Sequence, residues 1–252
     1  MVTLFGPWLA NSPFQQKAFV FLPTKMVDPS QERNLTFSKI KTAYQDFYQR
    51  LKCLENTPPY RSTKSGMWAT SVAEEIYRAF CYFELDQYNH VADLGSGDGI
   101  VVVIASLFTQ ATGYEIDEWL YQQSKKLSHS LDLSKATFLR KDFFQADLSA
   151  YDLLYLYPDK PIYELEKHLL ATWSGRILVK GPHFPPRHLR KIAECKSSAG
   201  RFVLYESPWG PKAPAACRHT LHEWHDTLQV SMNYWTSAVT VAWLRRLNKQ
   251  GG

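Results

Sequence analysis

Three glycines and three carboxylates, spaced as successive strand ends would space them, carry the chemistry legible in this chain. Gly95, Gly97 and Gly99 stand in the run Val91-Ala92-Asp93-Leu94-Gly95-Ser96-Gly97-Asp98-Gly99. It reads as a strand entering a turn whose backbone, free of Cβ atoms, can take positive φ and lie close against a ligand. The G-x-G-x-G spacing differs from the G-x-G-x-x-G of a dinucleotide fingerprint, which favours a nucleoside without a pyrophosphate. Glu115 follows Asp93 by 22 residues and ends the strand-like Thr112-Gly113-Tyr114-Glu115. In a βαβ unit that interval brings a carboxylate to the neighbouring strand end, where it can accept both hydroxyl protons of a ribose.

A third acid follows in the same rhythm. Thr137-Phe138-Leu139-Arg140 is strand-like and leads into Lys141-Asp142-Phe143-Phe144. Asp142 is thereby placed to accept from a base amino group, with Phe143 and Phe144 covering the ring. Asp93 is placed to organise the turn and face a ligand's amino group, and Asp98 to cap the following helix. Tyr157-Pro158-Asp159-Lys160 closes a fourth strand that is apolar but for Asp152, and Trp68 and Trp119 are further candidates for a pocket wall. His183 and His188 follow a fifth strand and are candidates to touch a substrate. His219, His222 and His225 stand three apart. On a helix that spacing drifts round the axis, so the three converge poorly on one ion, and no metal is expected.

The elements that must hold these residues alternate in type. Apolar positions at helical spacing (Phe37, Ile40, Ala43, Tyr44, Phe47, Tyr48, Leu51) predict an amphipathic helix over 35–54. A second helix is expected at 71–83. Then come strand 90–94, helix 99–108, strand 111–115, helix 117–130 with Asp117 as N-cap, and strand 136–140. Strand 151–157, helix 161–171, strand 175–180, helix 186–195 and strand 201–206 complete the series. Strands alternating with helices imply a largely parallel sheet covered on both faces. The β-prone stretch 229–244 is a candidate for an antiparallel strand paired with 201–206. Residues 1 to about 35 hold one strand-like piece, Phe19 to Leu22, and no clear period.

Composition sets the remaining bounds. The chain has 252 residues, 45% hydrophobic and 21% charged, which is ordinary for a folded globular domain and ample for a full α/β core. Cys53, Cys81, Cys195 and Cys217 are far apart, so neither a zinc site nor a disulfide framework is suggested. No secretory signal or membrane span is recognisable, and a cytoplasmic location is expected. A net charge of +5 is compatible with an acidic protein or RNA partner but common in proteins that bind neither.

The runs DLGSGDG at 93–99, YE at 114–115 and KDFF at 141–144 resemble motifs I, II and III of class I S-adenosylmethionine-dependent methyltransferases, over roughly residues 60–205. Within that superfamily the chain is most similar to the archaeal and mitochondrial protein-lysine methyltransferase group. That group carries a short proline-containing segment one helix upstream of the turn. Trp68-Ala69-Thr70-Ser71 holds this position here, with no proline flanking Thr70. The resemblance implies a Rossmann-like seven-stranded, mostly parallel sheet with an antiparallel C-terminal strand and an N-terminal helical or irregular extension. The expected division is 1–57 as arm and helix and 58–252 as methyltransferase domain. S-adenosylmethionine is the implied cofactor, bound by Thr70, Asp93, Gly95, Ser96, Gly97, Asp98, Glu115, Asp142 and Phe143. Tyr157, Pro158 and Asp159 are the implied catalytic residues.

The [DNS]-P-P-[YFW] signature of amino methylation on nucleobases and glutamine is absent, because Pro158 is followed by Asp159. The resemblance, through its motif set and the Thr70 segment, implies a protein lysine as the acceptor. An RNA or small-molecule methyltransferase on the same fold, or a scaffold that keeps the cofactor without turnover, are the alternatives. The oligomeric state is not legible.

Overall fold

The computed structural model describes residues 29–54, 60–63, 66–197 and 200–208. In chain order it contains α1 (Pro29–Leu54), β1 (Tyr60–Ser62), β2 (Met67–Ala69), α2 (Ala73–Tyr82), β3 (His90–Leu94), α3 (Ile100–Ala105), β4 (Gln110–Glu115), α4 (Glu118–Ser130), β5 (Ala136–Arg140), β6 (Leu153–Leu156), α5 (Tyr163–Thr172), β7 (Arg176–Lys180), β8 (Arg190–Ser197) and β9 (Gly200–Glu206).

Seven strands form one sheet in the order β5-β4-β3-β6-β7-β9-β8, and β1 pairs with β2 as a separate hairpin. β3, β4, β5, β6 and β7 run parallel, and β9 runs antiparallel to both neighbours, β7 and β8. The order reverses at β3, so β3 and β6 lead in opposite directions across the sheet. A crevice is expected outside the carboxyl ends of the strands at such a switch point.

Core residues on the two faces explain why the strands read as continuous apolar runs. Val91, Leu153, Tyr155, Leu178, Phe202 and Leu204 join α1, α2 and α3 on one face. Ala92, Leu94, Leu154, Leu156, Ile177 and Val179 join α5 on the other. All six residues of α3 are buried, as its unbroken apolar run requires. Asp117 caps α4 by accepting from the Leu120 N–H at 3.0 Å. None of the described helices is long and apolar enough to cross a membrane.

Two elements depart from expectation, and the first is the β1–β2 hairpin, which was not anticipated. The helix anticipated at 186–195 is the edge strand β8. Its pairing with β9 shifts register between Lys191 and Ala193, and a bulge of this kind resets the two-residue alternation. Leu189, Ile192 and Ala193 then fall at the i, i+3, i+4 spacing of a helix. Both edges of β9 are taken, so its antiparallel partners are β7 and β8; residues 229–244, proposed for that pairing, lie outside the described residues, as does the strand-like 19–22.

Candidate active site

The glycine turn between β3 and α3 is stitched to the end of β4. Gly95, Gly97 and Gly99 have φ of 86°, 56° and 84°, left-handed values that a side chain disfavours. The N–H groups of Gly95 and Ser96 both donate to the Tyr114 carbonyl, at 3.0 and 2.9 Å. The Gly97 N–H donates to Glu115 Oε2 at 2.8 Å, and the Asp117 N–H to Glu115 Oε1 at 2.7 Å. Glu115 is buried, and its position is fixed by the turn it supports.

The two central glycines face different surroundings. A Cβ on Gly95 would meet nothing within 4 Å, whereas one on Gly97 would stand 2.7 Å from Trp68 Cδ1. The open side of the turn is thus at Gly95, and Trp68 closes the other side. Ser96 directs its buried hydroxyl at Gly113, where a Cβ would come within 2.6 Å of Oγ. Its N–H and carbonyl are also engaged within the turn, by the Tyr114 carbonyl and the Gly99 N–H.

Three buried carboxylates meet here. Burial, then the charges of Glu115 and Asp98, pushes the Asp93 carboxyl well above its ordinary range. Burial raises Glu115 against the pull of its backbone donors. It also raises Asp98 to about 6, against the opposing hydrogen bond from Tyr48. Such a set is short of positive charge, and a cationic ligand relieves both desolvation and mutual repulsion. An adenosyl sulfonium fits on this observation and on the uncovered backbone at Gly95.

The remaining expected residues lie around this centre. Asp142 caps a single 3₁₀ turn at Phe143–Gln145, accepting from the Phe144 N–H at 2.9 Å. Phe143 is half-buried against the core and Phe144 is exposed. Thr70 is half-buried just after β2. At the end of β6, Tyr157 is 47% exposed, Pro158 is half-buried, and Asp159 is exposed. Asp159 Oδ2 accepts from the Met67 N–H at 2.6 Å, which fastens the β1–β2 hairpin to the β6 end. His188 is held by Glu166, with its Nδ1 3.3 Å from Oε2, while His183 is exposed in a cleft of about 240 Å³ with Tyr163, Phe184 and Arg187. His219, His222 and His225 lie outside the described residues, among which no group of His, Cys, Asp or Glu is placed to hold a metal ion.

Some participants were not singled out from the sequence. Asp98 accepts from the Tyr48 hydroxyl at 2.6 Å through Oδ2, and its carbonyl accepts from the Tyr44 hydroxyl at 3.0 Å. The two tyrosines were visible as core positions of α1. The usable signal was that a phenol on a buried helix face needs a partner. Lys180 and Glu75 form a buried ion pair at 3.6 Å, and the Lys180 Nζ lies 4.7 Å from the Tyr157 ring centroid. Nothing in local spacing announces a pair drawn from α2 and β7.

The ANTKMT methyltransferase domain model matches residues 93–185, from the start of the glycine turn to the loop beyond β7. The sequence matches no curated protein significantly. Among solved structures, an RNA methyltransferase from Salinibacter ruber, in complex with S-adenosyl-L-homocysteine, superposes with a TM-score of 0.51. The identity is 19%, covering 58% of this chain and 97% of that one. The protein yhhF of Escherichia coli, named as a putative methyltransferase, is similar at 18% identity and a TM-score of 0.44, covering 54% of this chain and 84% of that one.

The strand order, the turn with its acids and the domain match define an S-adenosylmethionine-dependent methyltransferase. It is of class I, and S-adenosylmethionine is its cofactor.

Proposed function

We propose that the enzyme methylates the ε-amine of a lysine in a protein. The observation that carries this reading is the wall at the end of β6, where Tyr157 presents an exposed ring beside Pro158 and the Asp159 carboxylate. A base or amide nitrogen has its lone pair delocalised and needs carbonyl acceptors to localise it. An aliphatic amine needs only to lose a proton and be aimed. A phenol and a carboxylate suit that second task. The ANTKMT domain match over 93–185 supports the same reading.

In this account Glu115 holds the ribose hydroxyls of the cofactor and Asp142 its base amino group. Asp93 and the Gly95, Ser96 and Gly97 backbone, with Asp98 behind them, support the amino-acid end. Thr70 and Phe143 line the sides. When bound, S-adenosylmethionine supplies an electrophilic methyl group on a sulfonium. The protein's own contribution is to hold the amine in line with that group, which is worth several orders of magnitude in rate. Tyr157 and Pro158 shape the approach. Asp159 receives the amine proton, either directly or through water, while its other oxygen stays on the Met67 N–H. The cleft beside Tyr163, His183, Phe184 and Arg187 receives residues flanking the acceptor lysine.

The experiment is methyl transfer from isotopically labelled S-adenosylmethionine into cell lysate, followed by separate protease and nuclease digestion. Label released by protease and recovered as methyl-lysine supports the proposal. Label released by nuclease favours an RNA acceptor, which the net charge of +5 would accommodate, and sinks it. Tight cofactor binding with no label in any fraction would point to a scaffold without turnover.

A further inference from the structure

We infer that Tyr48 of α1 is a positioning residue for the cofactor, holding the glycine turn in its binding conformation through Asp98. The 26-residue α1 reaches the turn by two routes. The first is polar. Tyr48 donates to Asp98 Oδ2 and Tyr44 donates to the Asp98 carbonyl, while the Ile100 N–H donates to Oδ1 at 3.3 Å. Asp98 follows Gly97, whose N–H holds Glu115, so a hydroxyl 50 positions upstream bears on the carboxylate assigned to the ribose. The second route is aromatic. Phe47 packs on Trp119 with centroids 6.5 Å apart, Trp119 on Trp68 at 6.2 Å, and Trp68 lies against Gly97.

A helix that merely covered the core would have no use for two phenols on its buried face. A buried hydroxyl without a partner is destabilising, and each of these finds its partner on the same residue of the turn. α1 is itself held in place. Lys41 pairs with Glu74 of α2 at 2.6 Å, and Phe37 stacks on Tyr77 at 4.1 Å between centroids. The turn therefore rests on a fixed support, and the loop that must approach the cofactor closely does not have to be ordered at the moment of binding.

The test is Tyr48→Phe, which keeps the ring and removes the hydroxyl, with Asp98→Ala, which removes the acceptor, and the double variant alongside. S-adenosylmethionine affinity is measured by calorimetry on the full chain, with thermal unfolding as a control. Each single variant is expected to bind about tenfold more weakly, as loss of one hydrogen bond to a charged group implies. The double variant is expected to bind no more weakly than Asp98→Ala, because the Tyr48 hydroxyl acts only through that carboxylate. Asp98 faces Tyr44 and Tyr48 of α1 and the carboxylates of Asp93 and Glu115. Removing the Tyr48 donor disfavours its charged form, so the pH midpoint of cofactor binding should rise in Tyr48→Phe, a change that simple loosening of helix packing would not produce. A folded Tyr48→Phe protein with affinity within about twofold of the wild type would overturn the inference, as would additive losses or an unmoved midpoint. Should Tyr48→Phe fail to fold, Tyr48→His, which keeps a ring and an N–H donor for Asp98, decides: affinity within about twofold of the wild type supports the assignment, and a loss of about tenfold in the folded variant ends it.

Discussion

Gly95→Ala and Gly97→Ala should fail in different ways, although the two glycines are separated by a single residue. Both have left-handed φ, 86° and 56°, so either alanine carries strain of about 1–2 kcal/mol. At Gly97 the new methyl would also stand 2.7 Å from Trp68 Cδ1 and 2.9 Å from Nε1. Trp68 is 6% exposed and packed on Trp119, so it has little room to move. Overpacking of that kind adds about 1–3 kcal/mol, and Gly97→Ala should lose about 2–5 kcal/mol in all. For a domain of this size that lowers the melting temperature by very roughly 5–15 °C. At Gly95 the methyl enters the open space into which a ligand must come. Stability then falls only by the strain, while S-adenosylmethionine affinity falls at least about tenfold. Denaturant titration and calorimetry on the two purified variants separate these outcomes. Equal stabilities, or an unchanged affinity in Gly95→Ala, would refute the assignment of an open and a closed side to the turn.

Further perturbations test other parts of the account. Glu115→Ala strands the N–H groups of Gly97 and Asp117. It should weaken cofactor binding at least about 100-fold, since charge-assisted hydrogen bonds are lost as well; binding within a few-fold of wild type in calorimetry would exclude a ribose role. Asp93, Asp98 and Glu115 are all raised when folded. The native state therefore holds extra protons on these three groups between the ordinary carboxylate range and the raised values, so they should contribute added stability to the cofactor-free protein as pH falls from 7 to 5, their contribution being complete below pH 4, where Glu166 and Glu194, both held low, oppose it. Asp98→Asn should flatten that slope in denaturant titrations, and a slope of opposite sign would count against the carboxylate cluster. Near pH 6 a cationic ligand should expel protons, read by calorimetry in buffers of differing ionisation enthalpy; no proton release would mean the charge does not reach these acids. Lys180→Met leaves Glu75 buried and unpaired and should cost about 3–5 kcal/mol. The double variant with Glu75→Gln should recover part of this in thermal unfolding.

The parallel strands and the acids at their ends were legible because each local signal agreed with the global fold. β3, β4 and β5 are short apolar runs that end at a glycine turn or a carboxylate, and their spacing is set by one crossover helix each. β8 was not legible, because a bulge at Lys191/Ala193 converts strand alternation into helical spacing, and because an edge strand keeps charged residues facing solvent. The β1–β2 hairpin was hidden for another reason. Strands of three residues carry little pattern, and the contact that fastens the hairpin, from the Met67 N–H to Asp159, spans 92 positions. The contacts of Tyr48 with Asp98 and of Lys180 with Glu75 join elements far apart in sequence. A single chain read along its length marks which residues are polar and placed on a core face, not which of them meet.

The most direct test of the central claim is a crystal structure of the protein with S-adenosyl-L-homocysteine. The account predicts the ribose hydroxyls on Glu115, the base amino group at Asp142, and the chain of the ligand running past Gly95 toward Tyr157. A ligand bound away from the β3–β4 strand ends, or one that leaves Glu115 without a ribose contact, would contradict it.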